Sequence, residues 1–107
     1  MINTVALLGR LTSTPELKST ASGVKVTTFT LAVDRKPKDG EKQTDFIDCV
    51  AWSGTAEFIT RFFAKGNMIA VSGSIQTHNY EDKDGNKRKA TEIIVNNVSF
   101  CEGKADV

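Results

Sequence analysis

The most constraining feature of this sequence is a change of hydrophobic period within residues 44–66, TDFIDCVAWSGTAEFITRFFAKG. The first half alternates with period 2, which is typical of a strand whose successive side chains point to opposite faces. One parity contains Ile47, Cys49 and Ala51, and the other contains Phe46, Asp48, Val50 and Trp52. Because charged Asp48 favours solvent, the second parity is predicted to be exposed. The pattern therefore predicts a strand that turns Phe46 and Trp52 outward.

The second half of this stretch predicts a helix. Ser53, Gly54 and Thr55 can begin it, and Gly66 can end it in the left-handed conformation. Its apolar side chains recur on one face: Phe58, Ile59, Phe62 and Phe63. A helix with a single apolar face is expected to pack against the core and to leave the other side of the sheet free.

Length, charge and cysteine usage indicate a single globular domain of the cytoplasm. The chain has 107 residues, with 14 basic and 13 acidic side chains. A net charge of +1 argues against a strongly basic nucleic-acid arm but leaves room for a basic face. Cys49 and Cys101 form no C-x-x-C pair and are interpreted as reduced thiols. No membrane-length apolar segment or signal peptide is recognisable, so we expect a cytoplasmic, nucleoid-associated protein without membrane contact.

Four further segments are predicted strands: residues 1–11, 24–35, 67–80 and 89–100. Alternation is clearest in 24–35 and 67–80. Turn formers and charges between them predict loops at 12–23, 36–43 and 81–88. The first strand carries Gly9 as a predicted bulge or bend, and it lies close enough to the terminus to form an edge that a partner subunit covers. The inward parity of the fourth strand contains Ile69, Val71 and Ile75, and the outward parity contains Gln76, His78 and Tyr80.

This order of elements predicts an all-β fold with one helix. Five short antiparallel strands, with the helix between the third and the fourth, match a barrel of the OB type. The predicted OB-fold domain covers residues 1–101, and a short polar tail covers residues 102–107. No internal repeat or interdomain linker interrupts it.

The sequence resembles the bacterial single-stranded DNA-binding proteins and their phage and plasmid relatives. The stretches that carry the resemblance are MINTVALLGRLTSTPEL, FTLAVDR, DFIDCVAW, AKGNMIAVSGSIQTHNYED and TEIIVNNVSF. The resemblance implies a homotetramer of OB-fold subunits that binds and protects single-stranded DNA without strong sequence preference, in replication, recombination and repair. It also implies that Phe46, Trp52 and Tyr80 stack on bases.

The resemblance extends to charged positions and also has departures. Lys65 is at the helix end, where the family often carries a base, and Arg10 follows the first-strand glycine as in many relatives. The segment at 35–37, RKP, lacks an aromatic that the family often places there. Gln76 and His78 replace arginines of many members, so the DNA contacts expected at these two residues carry fewer permanent charges. The last residues, CEGKADV, lack the acidic tip by which many members recruit replication and repair proteins. Either the tail was removed from this chain or this member never had one, and replication and repair proteins stay open as partners.

The basic residues are the candidates for phosphate contacts. They are Arg10, Arg35, Lys36, Lys65, Lys87, Arg88 and Lys89. An ordinary solvated surface is an equally good interpretation of each, since acidic residues flank both loop clusters. Together they would supply salt-dependent binding that is independent of sequence. His78 is the one histidine, and without a second histidine or paired cysteines it predicts no metal site and no cofactor.

Two other classes of function remain open on the sequence. One is a primosomal-type OB-fold protein that bridges replication proteins on DNA. The other is an OB-fold enzyme such as a nuclease. Catalysis has little support, because a strand places Asp45 and Asp48 on opposite faces and no nucleophile set or phosphate-binding loop is recognisable. The prediction is therefore a protein that is not an enzyme.

Overall fold

One helix and six strands make up the computed structural model, which describes residues 1–37 and 40–101. In chain order the elements are β1 (Val5–Leu11), β2 (Lys18–Ser19), β3 (Lys25–Asp34), β4 (Thr44–Trp52), α1 (Ser53–Phe62), β5 (Met68–Glu81) and β6 (Lys87–Phe100). The predicted architecture, mostly β with one helix after the central strand, is confirmed. The predicted tail at 102–107 and part of the predicted loop at 36–43 lie outside the described residues.

The strands form a closed ring of the OB type. Their order is β1-β5-β6-β4-β3-β2, and an additional β1–β3 pairing joins Arg10 to Ala32 and Leu11 to Leu31. All neighbours are antiparallel except β4 and β6, where Cys49 pairs with Ile93 in parallel. The prediction of a wholly antiparallel sheet is wrong at this one pair. The chain runs through α1 and β5 between these two strands, and β6, antiparallel to β5, then lies parallel to β4.

The predicted loop at 12–23 contains a short sixth strand. In β2, Lys18 pairs with Val26 and Ser19 pairs with Lys25. The turn that follows is closed by the Gly23 amide, which donates to the Thr20 carbonyl. Two residues are too few to produce an alternation pattern, so this strand gave no sequence signal.

The core follows the predicted parities with two exceptions. Leu31 of β3, Ile59 of α1 and Ile69 of β5 are fully buried. Val50 has the exposed parity but is only 6% exposed, because β3 and β6 flank β4 on both sides there. Ile75 has the inward parity but is 43% exposed, because β5 has left the ring at that point.

The helix ends earlier than predicted. Phe62 is its last residue, and Phe63 takes an extended backbone with φ −126° and ψ 144°. This conformation buries the Phe63 ring in the core. Gly66 is left-handed at φ +88°, as predicted, but it belongs to the next turn, which the Asn67 amide closes by donating to the Ala64 carbonyl.

Gly9 lies in an unbroken β1–β5 register, where it pairs with Ile69. It permits a close approach between strands rather than a bulge, since a Cβ there would lie 2.7 Å from the Ala32 carbonyl oxygen. The expected strand at residues 1–11 begins only at Val5. From Val5 to Leu8, β1 pairs with β5 on one side, and no strand of the described residues pairs with its other side.

The bulge of this sheet lies at Gly73. Ser72 pairs with Asn97 and Gly73 with Val95, so that Asn96 is an extra residue of β6. A Cβ on Gly73 would meet the Ile94 carbonyl oxygen, and only glycine fits. The extra residue reverses the inward parity of β6 between Val95 and the end of the strand.

Candidate nucleic-acid interface

The exposed parity of β4 presents two aromatic side chains to solvent. Phe46 is 66% exposed and Trp52 is 44% exposed, with the exposed Asp48 between them. At about 3.4 Å per residue, the two positions are roughly 20 Å apart along an extended strand. Flat apolar rings at this separation can each take an unstacked base, because every base has a π face.

The third predicted aromatic lies on the same side of the sheet. Val50 pairs with Ile94, and Ile94 also pairs with Ser74, so these three side chains point to one side. Steps of two from Ser74 along β5 lead to Gln76, His78 and Tyr80. Tyr80 is 49% exposed. We call this side of the sheet, which carries Phe46, Trp52 and Tyr80, the aromatic face.

Tyr80 lies on a two-stranded extension of the ring. Residues 76–81 of β5 and 87–92 of β6 pair only with each other, and we call residues 76–92 the β5–β6 arm. On the aromatic face of the arm, Tyr80 is opposite Arg88 and His78 is opposite Ala90. The His78 and Tyr80 ring centroids are 6.4 Å apart. The arm therefore extends the aromatic face beyond the core.

Gln76 and His78 have acidic surroundings. Gln76 pairs directly with Glu92. The Nδ1 atom of His78 is 3.6 Å from Oε1 of Glu92. This contact is an ion pair when the imidazole is protonated. At these two positions the structure therefore combines a neutral amide and a titratable base with a carboxylate.

Arg35 is held on the opposite side from Phe46. Its Nε and Nη2 atoms donate to the two carboxylate oxygens of Asp45, each at 2.9 Å, and its Nη1 donates to Oε1 of Gln43. The hydrogen bond and the opposite charge raise the pKa of Arg35. The same hydrogen bond lowers the pKa of the Asp45 carboxyl. Since Asp45 has the parity of Ile47, the charge of Arg35 is balanced locally and away from the aromatic face.

Arg88 has a carboxylate partner as well. Its Nε atom lies 3.0 Å from Oδ2 of Asp82, and Oδ1 of Asp82 accepts from the amides of Asp84 and Asn86. The Arg88 hydrogen bond is the main cause that lowers the pKa of Asp82. The structure thus places Arg88 on the aromatic face, beside Tyr80, with its charge already compensated.

Strand alternation divides the predicted basic cluster at 87–89. Lys87 and Lys89 point to the side of the arm opposite Arg88. A shallow groove of about 510 Å³ at this end of the arm is lined by Asn79, Tyr80, Glu81, Lys87, Arg88 and Lys89. A strand of DNA would have to pass around the arm's edge to meet all three basic residues.

The remaining predicted bases lie at strand and helix ends. Arg10 donates from Nη1 to the Gly66 carbonyl at 3.0 Å, and the Lys65 amide donates to Oγ1 of Thr14. The structure therefore brings Arg10 and Lys65 together beside the end of β1. Lys36 is exposed just after β3.

Sequence reasoning missed Glu92 as part of this face. It lines a groove of about 370 Å³ together with Asp48, whose Oδ1 accepts from Oγ1 of Thr30 at 2.9 Å. The groove places two carboxylates on the aromatic face. Glu92 alternates with the buried Ile93, so its outward direction could have been predicted, whereas its neighbours depend on strand register.

Within residues 1–37 and 40–101, no group of three or more His, Cys, Asp or Glu side chains is placed to hold a metal ion. The helix α1 has 10 residues, and within the described residues no helix is long and apolar enough to cross a membrane.

The sequence profile of the single-strand binding protein family matches residues 2–101. The chain belongs to this family. A "Single-stranded DNA-binding protein 2" of Listeria monocytogenes is 48% identical over 106 residues, which cover 97% of this chain and 66% of that protein. A "Single-stranded DNA-binding protein" of Clostridium tetani is 50% identical over 103 residues, covering 94% of this chain and 71% of that one. The chain thus spans just under two thirds of the Listeria relative.

A solved structure supports the same membership. The single-strand binding family chain in "Plasmodium falciparum SSB complex with ssDNA" superposes with a TM-score of 0.86 and 26% sequence identity. The match covers 95% of this chain and 96% of that chain. The similarity confirms the predicted OB-type fold of this family member.

Proposed function

We propose that this member of the single-strand binding family binds single-stranded DNA without strong sequence preference, and protects it during replication, recombination and repair. The observation that carries the proposal is the presence of three exposed aromatic side chains, Phe46, Trp52 and Tyr80, on one side of the sheet. The names of the relatives point to the same ligand. The role is one of binding without catalysis, in the cytoplasm at the nucleoid.

Stacking supplies the part of binding that distinguishes single strands from duplex. Each base stacked on an aromatic side chain contributes roughly 1 to 3 kcal/mol, and only an unpaired strand offers its base faces. Phosphates add a salt-dependent contribution through the basic residues. Arg35 and Arg88 already pair with carboxylates, so we expect Lys36, Lys65, Lys87 and Lys89 to contribute more of it.

A homotetramer is part of the proposal. The open edge of β1 from Val5 to Leu8 offers backbone groups to a second copy. Beside it, a shallow groove of about 350 Å³ is lined largely by small or apolar side chains, among them Ala6, Leu8 and Ala70. An edge and a face of this kind on one subunit suit a symmetric assembly.

The test of DNA binding uses the intrinsic fluorescence of Trp52, which is the one tryptophan of the chain. Titration with oligo-dT should quench it strongly, because the indole then lies against a base, and a duplex of equal length should not. Raising the salt concentration should weaken the binding of oligo-dT. Equal affinity for duplex and single strand would contradict the proposal.

Substitutions on the aromatic face should separate stacking from folding. Phe46→Ala, Trp52→Ala and Tyr80→Ala should each weaken oligo-dT binding by about 5-fold to 150-fold, as expected for 1 to 3 kcal/mol. Phe62→Leu is the matched control, because Phe62 is a half-exposed aromatic that packs on Phe58 of the helix. Fluorescence anisotropy of a labelled oligonucleotide measures all four. If the three alanine variants bind like Phe62→Leu, stacking on this face is excluded.

A further inference from the structure

The aromatic face of the β5–β6 arm lacks an uncompensated positive charge when its histidine is neutral. Arg88 is the one permanent cation among the arm residues on this face, and it is paired with Asp82 at 3.0 Å. Glu92 adds a negative charge. With a neutral imidazole, this group of charges sums to minus one, which repels phosphate.

His78 is the residue that can change this balance. Histidine has an ordinary pKa near 6.5 in model peptides, so a histidine side chain can exchange a proton within the physiological range. The ring is exposed, its Nδ1 lies 3.6 Å from Oε1 of Glu92, and its centroid lies 6.4 Å from that of Tyr80. Protonation would bring the group of charges to zero and add a second N–H donor on the face.

The position beside Tyr80 points to the group that the imidazole would meet. A nucleotide whose base stacks on Tyr80 carries its sugar and phosphate past the edge of that ring. The neighbours of His78 on this face are Gln76 and Tyr80 on its own strand, and Arg88 and Glu92 across from it. Asp48 of β4 lines the next groove with Glu92. Of these titratable and charged groups, the carboxylates favour the imidazolium and Arg88 opposes it.

We propose that His78 contacts a DNA phosphate as the imidazolium, so that binding of single-stranded DNA takes up a proton at this residue. This inference rests on the proposed function. The carboxylate of Glu92 neutralises the imidazolium in the free protein and gives way to the phosphate in the complex. Affinity for single strands therefore increases as the pH falls from 8 to 6.

The experiment measures the affinity for oligo-dT at constant ionic strength between pH 8 and pH 6. The native protein should bind about 3-fold to 10-fold more tightly at pH 6, the size expected for one added ionic contact, since about 1.4 kcal/mol of binding free energy is tenfold in affinity. His78→Gln should show a flat profile at the affinity of the native protein at pH 8. His78→Arg should bind about as tightly at both pH values as the native protein does at pH 6.

Two further measurements make the assignment specific. Calorimetry near pH 6.5 in buffers of different ionisation enthalpy should show proton uptake in the native protein and not in His78→Gln. Glu92→Gln should bind more tightly than the native protein at every pH, because it removes a repulsive charge from the face.

The outcomes separate this inference from the proposed function. Equal pH slopes for the native protein and His78→Gln, with tight binding of both to oligo-dT, would overturn the role of His78 and leave single-strand binding intact. Absence of oligo-dT binding by the native protein at every pH would overturn the proposed function itself. Because the His78 side chain is 55% exposed, its variants should fold, and circular dichroism checks this.

Discussion

At the scale of single residues, two positions of opposite parity on β4 have opposite environments. Cys49 is buried in the core, whereas Trp52 is exposed on the aromatic face. Burial, and to a smaller degree the charge of Asp48, raises the pKa of the Cys49 thiol to about 12. Thiolates are the reactive form of cysteine, so this thiol should be inert in the folded protein.

Alkylation should therefore distinguish the two cysteines. We expect iodoacetamide at pH 8 to modify the half-buried Cys101 and to leave Cys49 unmodified until the protein unfolds. Mass spectrometry should show one added group in buffer and two in denaturant. Cys101→Ala is the control and should show none in buffer. Rapid modification of Cys49 in that variant would contradict the burial.

At the scale of elements, two glycines of similar sequence context have different roles. Gly73 lies at the β5–β6 bulge, where a Cβ would overlap the Ile94 carbonyl, whereas Gly54 in the first turn of α1 has open space around it. Gly73→Ala should lower the free energy of unfolding by about 2 kcal/mol or more through overpacking. Gly54→Ala should raise it by about 0.5 to 1 kcal/mol, because alanine restricts the unfolded chain and favours the helix.

Urea denaturation measures both glycine variants. Gly54→Ala also controls for the added methyl group itself. Equal stability of the two variants would mean that the strands at Gly73 can separate without cost, and the bulge would then not depend on glycine.

The loop at the tip of the arm should respond to acid. Asp82 has a lowered pKa because Arg88 and the amides of Asn86 and Asp84 bind its carboxylate. A carboxyl whose pKa falls on folding stabilises the fold above its unfolded pKa, near 3.9, and loses that contribution as the pH falls through the folded value. Asp82→Asn should therefore lower the melting temperature at pH 7, and the difference from the native protein should shrink below about pH 4.

Asp84→Asn is the control for the loop, because it changes a carboxyl of the same turn and keeps the Asp82 contacts. Its melting temperature should stay near the native value at both pH 7 and pH 3. A constant difference between Asp82→Asn and the native protein at every pH would show that packing, rather than charge, stabilises the turn.

At the scale of the whole molecule, the open edge of β1 predicts self-association. With a chain of 11.6 kDa, light scattering after gel filtration should give about four times that mass. Leu8→Glu, on the exposed face of β1, should reduce the mass to that of a monomer or dimer. Leu17→Glu, an exposed leucine just before β2, is the control and should leave the mass unchanged. A native protein that elutes at the mass of one chain would contradict the homotetramer.

Prediction from sequence worked best where local periodicity carries the information. The β4 pattern placed Phe46 and Trp52 outward, and the structure confirms both exposures. It worked least well at the ends of elements. Phe63 lies outside the helix in an extended conformation that buries its ring, and β2 forms where the turn after it brings the chain against β3. The burial of Phe63 depends on partners distant in sequence, and β2 has only two residues, too few to produce an alternation pattern.

The sequence by itself determined the kind of element at each place and the side of the strand on which each aromatic lies, because backbone geometry alone sets those periods. Only the tertiary structure decided which side chains meet across strands. The register of β5 on β6 places Glu92 beside His78, and the arm's turn pairs Arg88 with Asp82. These contacts decide the charge of the aromatic face. They depend on the register of β5 on β6, which runs unbroken from the turn to Gly73 and pairs residues up to 22 positions apart, so the pattern of either strand alone does not contain them.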